Sequence, residues 1–176
     1  MNIFYLDGDP TVCASLHCDK HVVKMILESA QMLSTAHREL DGDKFADQMG
    51  MYKKAHVNHP STKWVRETHK NYRYLYNLFV ALCDEYTYRY GKVHLTDKKL
   101  RYVLRANPMH IPVYPMTKMP QCMPDYCKVQ DNPIEGYKSY YINEKKRFAT
   151  WKKRQIPNWY VKGLNNGNED LGQDVA

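Results

Sequence analysis

The stretch Asp19-Lys20-His21-Val22-Val23-Lys24-Met25-Ile26-Leu27-Glu28-Ser29-Ala30-Gln31-Met32-Leu33 decides how the rest of the chain is read. In it Val22, Val23, Ile26, Leu27, Ala30 and Leu33 recur at intervals that put them on one helical face, at about 100° per residue. The spacing predicts a long helix that begins somewhere between Thr11 and Asp19 and stops near Leu40, where Asp41-Gly42-Asp43 breaks it. On the other side His17, His21, Lys24, Glu28, Gln31 and Thr35 step by 4, 3, 4, 3 and 4, which makes one narrow polar stripe.

Working outward, residues 2–6 are a short apolar opening closed by the turn-forming Asp7-Gly8-Asp9-Pro10. Residues 43–58 read as irregular or weakly helical. Pro60 and Ser61 open a second long helix that reaches Tyr90 and ends at Gly91. Its apolar side is Val65, Leu75, Leu78, Phe79 and Leu82. Thr96 has the character of an N-cap for a shorter helix over 97–106. Residues 107–133 hold six of the nine prolines, interleaved with Met, Tyr and Ile, and predict an extended but ordered loop. His110 and Tyr114 lie in it; the loop is read as structural, with a lid over the first helix as the alternative. A last helix over 134–155 carries Tyr137, Tyr140, Tyr141, Phe148 and Trp151.

With almost no alternating strand pattern, the expected class is all-α: a compact single-domain helical bundle over residues 1–162 with a long Pro-rich loop. Val23, Ile26, Leu27, Ala30, Leu78, Phe79 and Leu82 are the expected core. Residues 163–176, rich in Asn, Gly and acid, are expected to be a disordered tail.

The 176 residues are 43% apolar and 26% charged, the make-up of an ordinary globular domain. The net charge is +7, although residues 163–176 contain three acids and no Lys or Arg. A body that basic favours polyanions, nucleic acid first. No apolar run approaches the roughly 20 residues needed to span a bilayer, and the start lacks the pattern of a signal peptide. Five cysteines with no CxxC pair then suit free thiols in a reducing cytoplasm, with no membrane partner.

The polar stripe of the first helix is the best candidate for chemistry. A solvated helix face is usually rich in Lys and Glu, and that plain reading stands as the alternative. Here an imidazole, an amine and a carboxylate follow one another on adjacent turns, within reach of a single patch of surface. Glu28, Lys24 and His21 are therefore the expected centre, with Asp19 and His59 nearby. Asp19 falls toward the apolar side, so it is expected to cap the helix or to bond a polar partner such as His59.

Lys63, Arg66, Lys70 and Arg73 form a basic stripe on the second helix, and Lys145, Lys146 and Arg147 open a denser cluster with Lys152, Lys153 and Arg154. Interleaved aromatics allow phosphate contacts together with base stacking; alternatively the aromatics are core and the cations only solvate the other side. His17 with His21, His56 with His59, and Cys122-x4-Cys127 have spacings that zinc accepts. None makes a recognised finger or HExxH pattern, so no metal and no other cofactor is expected.

Residues 19–33 resemble the first-helix motif of the small pyrimidine-dimer DNA glycosylases of bacteria and phages, the endonuclease V-type proteins: an Asp, a basic pair, a Lys, then Glu and Gln. Asn58-His59-Pro60-Ser61, with Lys63 and Trp64, is similar to the Asn-His-Pro that opens their second long helix, and Met1-Asn2 followed by Phe4 also fits. The resemblance covers about residues 1–92. It implies an all-helical fold that binds damaged DNA, flips a nucleotide out and cleaves the glycosidic bond. It also implies an N-terminal amine as nucleophile, forming a Schiff base, with a first-helix Glu assisting. Glu28 matches the Glu of the bacterial-type motif, while a direct comparison with the phage enzyme brings Met25 nearer that position. Asn2 is large enough to impede removal of the initiator methionine, so the free amine is assigned to Met1; Lys24 is the alternative amine. The expected function is thus a DNA-repair glycosylase and abasic-site lyase, in the host cytoplasm if the chain is phage-encoded. A non-catalytic nucleic-acid-binding protein, or an enzyme acting on a nucleotide or other small anion, is the alternative.

Overall fold

A computed structural model of the chain describes residues 1–169. It is all-α: eight helices and no strand among the described residues. Helix α1, Pro10–Leu16, starts where the Asp9 carboxylate accepts from the backbone N–H groups of Thr11 and Val12 at 2.7 and 3.1 Å. Helix α2, Asp19–Leu40, is the long helix the sequence predicts. Helix α3, Asp43–Gln48, supplies order to part of the stretch read as irregular.

The predicted second helix is two helices. Helix α4, Pro60–Val65, is followed by α5, His69–Tyr90. Thr68 divides them: its hydroxyl caps α5 by accepting from Asn71 N–H at 3.1 Å. The Asn71 amide in turn donates to Trp64 O, a buried carbonyl in the last turn of α4, at 2.7 Å. Helix α5 ends as expected at Gly91, which has φ +67°. Helix α6, Leu95–Leu100, is capped by His94 rather than Thr96.

Helix α7, Pro133–Glu144, ends well short of residue 155. Tertiary contacts override helix propensity there. Thr150 O accepts from Asp19 N–H at 2.8 Å, the Asp19 carboxylate takes the Thr150 hydroxyl and the Lys152 N–H, and Trp151 Nε1 donates to Leu16 O at 2.9 Å. Residues 150–152 are thereby laid across the α1–α2 junction. Helix α8, Asn158–Glu169, follows, so helix occupies residues 163–169 of the stretch expected as tail. The rest of that tail, residues 170–176, lies outside the described residues.

Helix α2 packs mainly on α5, and α1 lies against α5 beside it. Ile26, Ala30, Leu78, Phe79 and Leu82 are core as expected. Val23 and Leu27 are not: they are 38% and 39% exposed, and Val22, Met25, Met32 and Leu33 take the inner positions. The chain start is also core, with Ile3, Phe4 and Leu6 buried under α1, α2 and α7.

The Pro-rich loop is ordered by explicit tethers. Asp41 accepts from the N–H groups of Met109 and His110 at 2.7 and 3.0 Å and pairs with His110 Nδ1 at 2.9 Å. Thr117 is held by Asn71, whose Oδ1 accepts from its N–H at 3.0 Å. The loop runs along α4 and α5 through Thr117 and then brings Cys122 to the chain start beside α2, while Tyr114 points outward, 68% exposed. No helix of the described residues is long and apolar enough to cross a membrane.

Candidate active site

Glu28 is the residue around which the site is built. It lies on α2 and is 8% exposed. Its Oε2 accepts from Asn2 N–H at 3.0 Å and stands 3.7 Å from the α-amine of Met1. Its Oε1 meets Lys24 Nζ at 3.3 Å, one turn back on the same helix. The buried opening segment brings the amine there. Asn2 is fixed on three sides: its amide donates to Cys122 O at 2.8 Å, and its Oδ1 accepts from Tyr137 Oη and from Ile3 N–H, both at 2.8 Å.

Amine and carboxylate lie in a cavity of about 340 Å³. Its walls include Phe4, His21, Met25, Cys122, Tyr140 and Phe148, with Lys20, Lys24 and Lys145 also lining it. A larger groove of about 690 Å³ between α1 and α5 is lined by Val12, Tyr88 and Arg154, but there Arg154 is already paired with Glu85 at 2.8 Å. Among the described residues it gathers no amine and carboxylate comparable to the Glu28 site.

The expected site residues divide. Glu28 and Lys24 come together as the spacing predicts. Lys24 is at the mouth, with its side chain 62% exposed. His21 also lines the cavity, yet it is buried: its ring stacks on Phe4 at 4.1 Å, and Nδ1 bonds Tyr141 Oη at 2.6 Å. Burial pulls its pKa down to about 2, with His17, Lys145, Lys24 and Lys20 pushing the same way. The imidazole is therefore neutral across the physiological range.

Asp19 is not at the cavity and does not bond His59. Its partner is Arg89, fully buried, at 2.9 Å. That contact crosses from α2 to α5 and explains why an acid is tolerated on the apolar side. His59 caps α4, with Nδ1 accepting from Ser61 N–H at 3.2 Å. Burial lowers its pKa, and the α-amine and His56 lower it further against Glu28, which places it near the site without lining it.

Met25, the alternative position for the carboxylate, is 3% exposed and contributes only apolar wall. What the sequence did not assign to the site is the lining by Phe4, Lys20 and Cys122. Lys20 was readable as the neighbour of His21 on the same helix; Cys122 stood out only for its spacing from Cys127, which does not point to this cavity.

Of the basic residues, Lys63 and Lys70 are exposed, whereas Arg66 is tied to Thr62 O and Val57 O at 3.1 and 2.9 Å. Arg73 is tied to Arg105 O and Asn107 Oδ1, both at 3.1 Å. Lys145 lines the cavity, and Lys146 and Arg147 are exposed beside it. The described residues include no group of three His, Cys, Asp or Glu arranged to hold a metal, and the cysteines are free thiols.

The described residues thus form an all-helical domain in which a buried carboxylate holds the start of the chain in a cavity rimmed by lysines. The chain belongs to the pyrimidine dimer DNA glycosylase family, whose model matches residues 1–99. Searches of curated proteins and of solved structures gave no match. Family membership makes DNA the partner and DNA repair by a glycosylase the general activity.

Proposed function

We propose that the protein removes damaged pyrimidines from duplex DNA through an amine and then cleaves the strand as a lyase. The observation that carries this reading is the contact of Glu28 with the chain start: Oε2 lies 3.7 Å from the Met1 amine and 3.0 Å from the nitrogen of Asn2. Whether the amine belongs to residue 1 or, after methionine removal, to residue 2, it stands beside the same carboxylate. Distances in an unliganded site are often longer than in the reacting complex.

In the first step the unprotonated amine attacks C1′ of the extruded nucleotide, forming an N–C1′ bond. The bond from C1′ to the base breaks, and its electron pair leaves with the base, which takes up a proton. Glu28, as an anion, stabilises the positive charge that develops at C1′, and then accepts the proton that the newly bonded nitrogen gives up. The C1′–O4′ bond opens next: the nitrogen lone pair forms the iminium, and the released electron pair goes to O4′, which takes a proton. In the lyase step a base removes a proton from C2′, and the resulting electron pair expels the 3′ phosphate. Water then releases the sugar and regenerates the amine. Lys24 pairs with Glu28 and orients it, and His21 and Asp19 serve the architecture rather than the reaction.

Borohydride reduces the iminium to a stable amine, so trapping on ultraviolet-irradiated or abasic duplex tests the proposal. The expected result is a covalent complex whose DNA-bearing peptide contains residue 1 or 2. DNA attached at Lys24 transfers the nucleophile to that side chain. No adduct on either duplex, alongside an active control enzyme, removes the Schiff-base mechanism.

A further inference from the structure

Apart from Cys122, the part of the cavity wall that the family match does not reach is aromatic and cationic. Tyr140, Lys145 and Phe148 all lie beyond residue 99. Lys145 Nζ stands 4.1 Å from the centre of the Tyr140 ring, and Lys20 Nζ stands 4.6 Å from that of Phe148. Both rings are half-buried and backed by protein. Tyr140 lies nearly parallel to Phe4, with centroids 5.9 Å apart, and Phe148 packs edge-on to His21 at 5.6 Å. Each is thus a fixed platform whose cavity-side neighbour is an ammonium group.

An ammonium on an exposed ring face is a weak contact. A duplex brings two stronger ones: phosphates for the ammonium groups and a base for the rings. We propose that Tyr140 and Phe148 receive the nucleobase turned out of the duplex, and that Lys145 and Lys20 leave the rings for the flanking phosphates as it enters. Two lysine–ring pairs are exchanged for lysine–phosphate and ring–base pairs. Until then each ring keeps an ammonium group over it, and neither is available to a base unless a phosphate arrives with it. Every base has a stacking face, so the platform holds the base without reading its sequence context. The proposal rests on the glycosylase reading above and assigns the base-holding side of the same site.

The experiment compares full-length wild type with Tyr140→Leu and Phe148→Leu, which keep apolar bulk but lack a flat face. Glycosidic-bond cleavage in ultraviolet-irradiated duplex is expected to fall about tenfold for each variant, the scale of one stacking contact. Cleavage of an abasic duplex, which has no base to hold, is expected to fall by a smaller factor in each variant. The same split is read in Kd for duplexes that carry or lack the base, so a wild type without lyase activity still gives a result. Unchanged melting temperatures exclude a folding defect. Lys145→Ala is expected to weaken binding to both duplexes and to lower the salt dependence of each. Equal losses on both duplexes for the ring variants, or no loss on either, overturn the platform while leaving the glycosylase reading intact. A wild type that neither binds nor acts on either duplex overturns that reading, and the platform with it.

Discussion

Arg89 of α5 and Asp19 of α2 form an ion pair at 2.9 Å in which the guanidinium is wholly buried. The same guanidinium takes Glu85 at 2.7 Å and Ser15 O at 3.0 Å. One cation thereby fastens the ends of α1, α2 and α5 beneath the segment that carries Lys152. Removing one partner of such a group strands a buried charge, which costs about 3–5 kcal/mol. Arg89→Met should lower the urea midpoint by that order without any direct effect on the site. Asp19→Asn should lower stability less and leave base release per folded molecule unchanged. An inactive but fully stable Asp19→Asn would return Asp19 to the catalytic group.

Glu28→Gln keeps the shape of the side chain, and its amide oxygen can still accept from Asn2 N–H. It removes the charge next to the amine. Base release should fall by about 100-fold or more, as when a general base is lost. Stability should change by no more than about 1 kcal/mol, and duplex affinity should persist. Full activity in this variant would defeat the assignment, and an unfolded variant would make the carboxylate an architectural clamp.

The salt dependence of binding should separate free cations from committed ones. Lys145, Lys146 and Arg147 replaced together by Ala should flatten the plot of log affinity against log salt, since fewer cations reach phosphates and fewer counterions are released on binding. Lys63→Ala and Lys70→Ala should act in the same direction. Arg66 and Arg73 already hold backbone carbonyls or an amide oxygen, so their Ala variants should destabilise the fold more than they change the slope. Equal slopes throughout would mean that DNA lies on another face.

Acid should weaken the fold through its buried histidines. Burial pulls His17 down to about 4 and His21 to about 2, from an ordinary 6.5. The unfolded chain therefore binds protons that the folded chain refuses once pH drops below about 6.5. Stability from these groups is complete above that value and is lost as pH falls toward 4, by roughly 1.4 kcal/mol per pH unit for each histidine. Urea midpoints at pH 7, 6 and 5 check this, and His17→Gln should remove one proton's worth of the slope. A midpoint independent of pH over that range would refute the buried neutral state.

The first helix was legible in the sequence in its extent and in the grouping of Lys24 with Glu28. Its orientation was less so. Periodicity assigns the hydrophobic residues to the core and turns His17, His21, Glu28 and Thr35 to solvent, yet these four are buried and Val23 and Leu27 are exposed. The outward sector is centred on Lys20, Lys24 and Leu27, displaced from the polar stripe by less than one residue's rotation of about 100°. The cause is long-range: the opening segment and α7 cover the stripe, and Phe4, Asn2 and Tyr141 pack on it or bond to it. A stripe poor in Lys was the available hint. The division of α4 from α5 was legible at Thr68, a residue suited to a cap, but the apolar pattern ran through it. Where α7 ends was not legible, because Asp19 and Leu16, more than a hundred residues away, dictate it.

The tethering of Asn2 sets an order of events during synthesis. Its side chain is locked by Cys122 O and by the Tyr137 hydroxyl, groups made 120 and 135 residues later. Until those residues emerge, the first residues made lack two of the contacts that hold Asn2 beside Glu28, whatever the state of α1 to α5. The seat of the chain start is thus complete only once residue 137 has been made. A fragment that stops at the end of the family-matched segment would carry amine and carboxylate alike without the two groups that lock the Asn2 side chain.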